Sequence, residues 1–185
     1  MSLKSSLKIK VGRIENMFKC FYPSEDISSA YDIDYEKYYK KGYRAIIYDI
    51  DNTLVKHNEP ATLKAKELFD KLRRIGYKMC VVSNNKEPRV ADFAHDVDCE
   101  YVFKADKPSK KGYVAAMEKM GSDIGNTFFV GDQLFTDVWG ANRSGIHSIL
   151  VKPINPKEEI QIILKRIPEK LVLYFYKKSK KYVSL

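Results

Sequence analysis

Asp49 and Asp51 stand two residues apart in Tyr48-Asp49-Ile50-Asp51-Asn52-Thr53, directly after the apolar run Ala45–Tyr48. Where a chain leaves a strand, side chains two positions apart lie on the same side, so both carboxylates can face one site. Such a pair can divide a covalent displacement between them. One carboxylate attacks phosphorus, while the other protonates the departing oxygen and then deprotonates water. Other polar groups follow other apolar runs: Ser83-Asn84-Asn85 after Met79–Val82, Lys107-Pro108 after Tyr101–Phe103, and Gly131-Asp132, with Asp137 beyond it, after Thr127–Val130. The hydroxyl of Ser83, the amide of Asn84 and the cation of Lys107 suit phosphoryl oxygens, where transition-state charge must be met. Asp132 supplies a third carboxylate, and such an oxygen-donor set suits magnesium (Mg2+) with some of its waters retained. Alone, each group has an ordinary explanation as a helix cap, a loop or a turn. Their recurrence at four successive strand ends does not.

The elements that must position these groups are legible from the apolar pattern. Ala45–Tyr48, Met79–Val82, Tyr101–Phe103, Thr127–Val130 and Ser148–Val151 are short and almost continuously apolar, as strands buried on both faces of a parallel sheet are. Between them run helical patterns. Leu63–Ile75 places Ala65, Leu68, Phe69 and Leu72 on one face before Gly76; Pro88–Asp96 repeats the pattern; Ser109 caps a helix through Met120; Asp137–Asn142 is shorter. Strands alternating with helices predict an α/β fold, a doubly wound, Rossmann-like parallel sheet of five strands with right-handed crossovers. In such a sheet, ligands bind beyond the carboxyl ends of the strands, where the polar groups cluster.

The motifs resemble those of the haloacid-dehalogenase-like (HAD) phosphatases, in the family's order, over roughly residues 43–151. IIYDIDNTLV resembles the first motif, VVSNN the second, KADKP the third and FVGDQLFTDVWGAN the fourth. The resemblance implies Asp49 as nucleophile, Asp51 as general acid/base and Thr53 as support of the first motif. It further implies Ser83 as phosphate-binding hydroxyl, Lys107 as the lysine of the third motif, and Asp132 with Asp137 as metal-binding acids. The backbone carbonyl of Asp51 completes the magnesium set. The catalytic residues expected on this basis are Asp49, Asp51 and Lys107; the phosphate-binding ones are Thr53, Ser83, Asn84 and Lys107; the metal-binding ones are Asp49, Asp51, Asp132 and Asp137. An acid two positions after the nucleophile resembles phosphatases and mutases rather than dehalogenases or ion pumps. Only 31 residues separate Asp51 from Ser83 and 23 separate Ser83 from Lys107, so neither gap holds a cap domain. The open site suggests a bulky or attached substrate. The Phe21-Tyr22-Pro23 segment, DIDYEKYYKKGYRAIIYDIDNTLV and GDQLFTDVWGANRSG resemble the YqeG-type branch of HAD subfamily IIIA, similar to phosphatidylglycerophosphate phosphatases.

The expected organisation is an N-terminal extension packing on the core (1–44), a catalytic core (45–155) and a basic helical tail (156–185). The extension holds a helix at Tyr35–Lys41 and a tyrosine cluster (Tyr31, Tyr35, Tyr38, Tyr39, Tyr43), expected to cover the core, with an aromatic rim at a lipid interface as the alternative. The chain carries a net charge of +9, and from Lys152 onward nine Lys or Arg face three Glu. That tail suits an anionic membrane surface, and nucleic acid stays open as a partner. No run approaches the roughly 18 apolar residues of a membrane span, and the N-terminus lacks a signal-peptide core. Cys20, Cys80 and Cys99, an odd count, suit reduced thiols. These features predict a cytoplasmic protein, peripheral on the inner face of the membrane if its substrate is a lipid phosphate. Two alternatives stay open: a phosphatase of nucleic-acid ends or phosphoproteins, and a non-catalytic RNA- or protein-binding module. His57 and His147 are expected outside the chemistry, and Phe135 and Trp139 in packing. Nucleotide-binding glycine loops are absent.

Overall fold

A computed structural model of the protein describes residues 18–155 and 168–178. Residues 23–155 form one compact unit; residues 18–22 and 168–178 belong to another.

The larger unit is built on a six-stranded, wholly parallel sheet. Its strands are β1 (Glu25–Ile27), β2 (Ala45–Tyr48), β3 (Lys78–Val82), β4 (Glu100–Val102), β5 (Thr127–Gly131) and β6 (His147–Val151), in the order β1-β6-β5-β2-β3-β4. The helices are α1 (Tyr35–Lys40), α2 (Leu63–Ile75), α3 (Glu87–Val97), α4 (Lys110–Met120) and α5 (Trp139–Arg143). The predicted doubly wound α/β architecture is present, with one correction: the sheet has six strands, not five. The additional strand, β1, pairs with β6 through Glu25↔Ile149 and Ile27↔Val151. Its Glu-Asp-Ile sequence lies at the sheet edge and carries no apolar run, so the signal that marks buried strands is missing.

Alternation along the strands sends side chains to two cores. Ile46, Tyr48, Met79, Val81, Phe128 and Val130 pack with α1, α2 and α3 on one face. Ala45, Ile47, Cys80, Val82 and Phe129 pack with Tyr113, Ala116, Met117 and Met120 of α4 on the other. The helix ends follow ordinary capping chemistry. Asp34, Thr62 and Ser109 accept backbone N–H bonds at the starts of α1, α2 and α4. Gly76 closes α2 at φ 105°, in the left-handed region where a side chain would be strained.

The tyrosines of the N-terminal extension are structural. Tyr35 and Tyr38 are buried and stack on Phe128, the Tyr48 hydroxyl donates to that of Tyr35 at 2.7 Å, and Tyr35 donates to the Ala30 carbonyl at 2.6 Å. His147 lies against Tyr38 and Tyr43, with Nε2 3.5 Å from Glu25 Oε1. Burial there lowers its pKa, partly opposed by Glu25. One loop and α2 join the first two motifs, and α3 and β4 join the second and third; neither connection contains a cap domain.

In the other unit, residues 168–178 are helical. Glu169, Val172 and Tyr176 are buried, whereas Leu171 and Tyr174 are 53% and 61% exposed. The Phe175 ring stacks on Phe18, and Tyr176 meets Tyr22. Residues 156–167 of the expected basic helical tail, and Lys180 and Lys181, lie outside the described residues. Among the described residues, no helix is long and apolar enough to cross a membrane.

Candidate active site

Strand β2 ends at Tyr48, and its pairing with β5 continues one residue further as Asp49 N–H donates to the Val130 carbonyl at 2.9 Å. This places Asp49 at the carboxyl edge of two central strands, buried, with its backbone fixed by the sheet. The Lys107 ammonium reaches it from the loop after β4, donating to Asp49 Oδ1 at 2.5 Å and to Asp137 Oδ1 at 2.7 Å. Lys107 is itself held by Asn84, whose Oδ1 accepts from Lys107 N–H at 2.7 Å and whose Nδ2 donates to the Lys107 carbonyl at 3.2 Å. Asn84 was expected at phosphoryl oxygens; here its amide is occupied in positioning the lysine.

Asp137 stands on a π-helical turn, Leu134–Val138, between β5 and α5. Its Oδ2 accepts from Gln133 N–H at 3.1 Å, and the Tyr113 hydroxyl lies 3.1 Å from the carbonyls of both Thr136 and Asp137. Tyr113 fits there because residue 140 is glycine: a Cβ at Gly140 would collide with its ring and hydroxyl. Gly131 has a similar part at the end of β5. A Cβ at that position would stand 2.6 Å from Asp137 Oδ2 and 2.7 Å from Phe129 Cε1. Gly131→Ala must therefore displace Asp137. It is expected to cut turnover at least tenfold and destabilise the protein by about 1–3 kcal/mol through overpacking, read by steady-state kinetics and denaturant titration.

Asp132 completes the group. Its Oδ1 accepts from Thr53 Oγ1 at 3.4 Å, so Thr53, expected at the phosphoryl oxygens, bonds a carboxylate here. One carboxylate oxygen each from Asp49, Asp132 and Asp137 lies within 4.8 Å of the others. Ser83 is buried at the end of β3, its Oγ accepting from Asn85 N–H at 3.2 Å.

The electrostatics follow from crowding three acids around one cation. Burial pushes the Asp49 carboxyl up to about 7; Lys107 opposes this, and the charges of Asp137 and Asp51 add to it. Burial alone would lower Lys107, but the Asp137 and Asp49 carboxylates outweigh it and hold the ammonium above its ordinary pKa. Asp49 Oδ2 is buried without a hydrogen-bond partner, which is costly for a carboxylate unless a cation is nearby. An orphaned oxygen within a three-carboxylate cluster fits a hard, oxygen-ligated divalent metal.

Asp51 is not part of that cluster. Its Oδ1 accepts from Asn58 N–H at 2.8 Å and from Arg89 Nη2 at 3.0 Å, and its Oδ2 from Asn85 Nδ2 at 2.6 Å. The chain turns directly after it, with Asn52 at φ 65° and Asn52 N–H bonded to the Val55 carbonyl at 2.7 Å. Neither Arg89 nor Asn85 was expected at the site. The available signal was Ser-Asn-Asn followed four residues later by an arginine in the first turn of α3. His57 is exposed, and Trp139 lies beneath the Arg143 guanidinium.

A parallel sheet with an acid–lysine cluster at its carboxyl edge is the architecture of a phosphoryl-transfer enzyme. The family model for haloacid dehalogenase-like hydrolases matches residues 57–145. The chain is 35% identical over 162 residues to the probable phosphatase YqeG of Bacillus subtilis, covering 87% of this chain and 94% of that protein. It is 26% identical over 149 residues to phosphatidylglycerophosphate phosphatase 1 of Arabidopsis thaliana, spanning 71% of this chain and 40% of that protein. Among solved structures, NagD of Escherichia coli K-12 shares the fold at TM-score 0.50 and 15% identity, over 65% of this chain and 91% of that one. The cobalt-bound 8-phosphate phosphatase YrbI of Haemophilus influenzae does so at TM-score 0.50 and 12% identity, over 61% and 70%. The chain belongs to the haloacid-dehalogenase-like hydrolases. It is a phosphatase of that family, whose members generally use a divalent metal.

Proposed function

We propose that the protein is a Mg2+-dependent phosphomonoesterase that works through an aspartyl-phosphate on Asp49 and acts on a membrane lipid phosphate. The observation that carries the chemical part is the buried, unpartnered Asp49 Oδ2 beside Lys107, Asp132 and Asp137. In this reading Asp49 attacks phosphorus, the bond from phosphorus to the ester oxygen breaks, and Asp51 gives that oxygen its proton. Asp51 then takes a proton from water, whose oxygen attacks phosphorus and frees Asp49 and inorganic phosphate. Lys107 holds Asp49 in place and offsets its charge, and Ser83 binds a phosphoryl oxygen. Asp49, Asp132 and Asp137, with the Asp51 carbonyl, would hold Mg2+, which when bound neutralises phosphoryl charge.

The substrate class rests on other grounds. The Arabidopsis relative is a phosphatidylglycerophosphate phosphatase, and a site without a cap domain suits a headgroup still anchored in a bilayer. The helix at 168–178 exposes Lys170 and Lys177 together with Leu171 and Tyr174, a mixture suited to an anionic membrane interface. This reading puts the protein on the cytoplasmic face of a membrane. Because Val172 and Tyr176 of that helix are buried, surface substitutions test it better than truncation does. Lys170→Gln with Lys177→Gln is expected to weaken binding to anionic vesicles by about 1 kcal/mol per lysine. The melting temperature should be kept. Co-sedimentation beside a thermal melt checks this, and unchanged binding removes the helix from the membrane argument. The substrate itself is tested by phosphate release from phosphatidylglycerophosphate vesicles against nucleotides, phosphorylated oligonucleotides and phosphopeptides. Preference for an oligonucleotide or a phosphopeptide would replace the lipid assignment.

A further inference from the structure

Arg89 sits in the first turn of α3, and the family motifs do not explain it. Its guanidinium donates to Asp51 Oδ1 at 3.0 Å, and the two side chains are only 18% and 13% exposed. An ion pair so largely removed from water holds its geometry better than a surface pair. Arg89 is anchored in turn, its guanidinium carbon 5.8 Å from the centroid of Phe93, which is buried in the core. Asn85 grips the other carboxylate oxygen, and Asn58 N–H supplies a third donor. A cleft of about 440 Å³ opens at this point, lined by Asn58, Pro60, Arg89, Asp92 and Phe93 among others. Two of the three groups that hold Asp51, Arg89 and Asn58, thus also wall the space beside it.

We propose that Arg89 is a positioning residue, which holds the Asp51 carboxyl toward the leaving-group oxygen of a substrate whose alcohol half occupies the adjoining cleft. The proposal rests on the reading of Asp51 as general acid and base. Proton transfer needs Asp51 within hydrogen-bond reach of the ester oxygen, and small misplacements of a catalytic group cost large factors in rate. Asp51 lies beyond the end of β2, where the chain enters the turn closed between Asn52 and Val55, so its side chain owes its direction to the groups that bind it. Among these, Arg89 brings a planar, permanently charged donor that lysine reproduces only in charge.

The test is a double-substitution cycle of Arg89→Ala and Asp51→Asn, with Arg89→Lys beside it. It is read as first-turnover alcohol release from a simple alkyl phosphate and from p-nitrophenyl phosphate, with KM and a thermal melt for each protein. An alkyl leaving group needs the acid and nitrophenolate hardly does. Arg89→Ala is therefore expected to slow the alkyl ester roughly 10- to 100-fold and the nitrophenyl ester distinctly less, with KM little changed. With Asp51→Asn already present, the further loss should stay within about twofold, since the two residues act as one unit. Arg89→Lys should recover part of the rate. An equal loss in both backgrounds would overturn the proposal, as would a loss confined to KM, which would mark Arg89 as a direct substrate contact. Equal loss on both esters with a lowered melting temperature would reduce Arg89 to a structural ion pair and overturn it too. Wild-type turnover that Asp49→Asn leaves intact would instead defeat the underlying phosphatase site, and this proposal with it.

Discussion

Asp49→Asn is expected to abolish turnover, by on the order of 10⁴-fold or more, whereas Asp51→Asn should leave a slow but measurable enzyme. The difference comes from where the two carboxylates sit. Asp49 is fixed by the sheet, buried, and bonded to Lys107, and an amide in its place offers no anionic oxygen to phosphorus. Asp51 is displaced from the cluster and bound by Arg89, Asn85 and Asn58. Losing its proton transfer costs on the order of 10²–10⁴ in each step, without removing the nucleophile. Quench-flow on both variants checks the assignment. A dead Asp51→Asn beside a partly active Asp49→Asn would invert the roles.

Stripping the protein with EDTA is expected to remove activity, and Mg2+ should restore it better than Ca2+. Two carboxylates share the Lys107 ammonium, a third stands within 4.8 Å of them, and Asp49 Oδ2 has no partner. Without a divalent cation, the phosphoryl group would bring further negative charge into that surplus. Calcium's larger and less regular oxygen shell is a poorer match for a compact set in which one ligand must also attack phosphorus. Turnover and metal content measured together decide the matter. Full activity of a protein shown to be metal-free would contradict it.

The parts of the site legible in the sequence are those fixed by strand ends. Asp49, Ser83, Lys107 and Asp132 each follow an apolar run, and the parallel sheet gathers such ends at one edge. Asp137 lies further along the chain after the same run as Asp132, and its role as a metal-binding acid came only from the fourth-motif resemblance. Side-chain partners within the loops were not legible. Asn84 and Asn85 are adjacent and chemically identical, yet one binds the Lys107 backbone and the other the Asp51 carboxylate. Only the path of the loop decides between them. Arg89 carries no sequence signal of its role, because nothing in its spacing reveals Asp51 opposite. The strand at Glu25–Ile27 escaped for a related reason: edge pairing rests on backbone hydrogen bonds, which leave no apolar pattern. Tyr35 and Tyr38 lie in the core with Tyr31, Tyr39 and Tyr43 packed against it, since aromatic side chains at helical spacing bury themselves against a sheet.

The most direct test of the central claim is chemical trapping of the covalent intermediate. Protein quenched in acid during turnover and reduced with borohydride should carry the modification of an acyl phosphate at one residue, located by peptide mass spectrometry. The account predicts Asp49, with the signal absent from Asp49→Asn and increased in Asp51→Asn, where hydrolysis of the intermediate is slowed. Trapping at Asp51, or turnover of a phosphate ester with no residue trapped in either the wild type or Asp51→Asn, would contradict it.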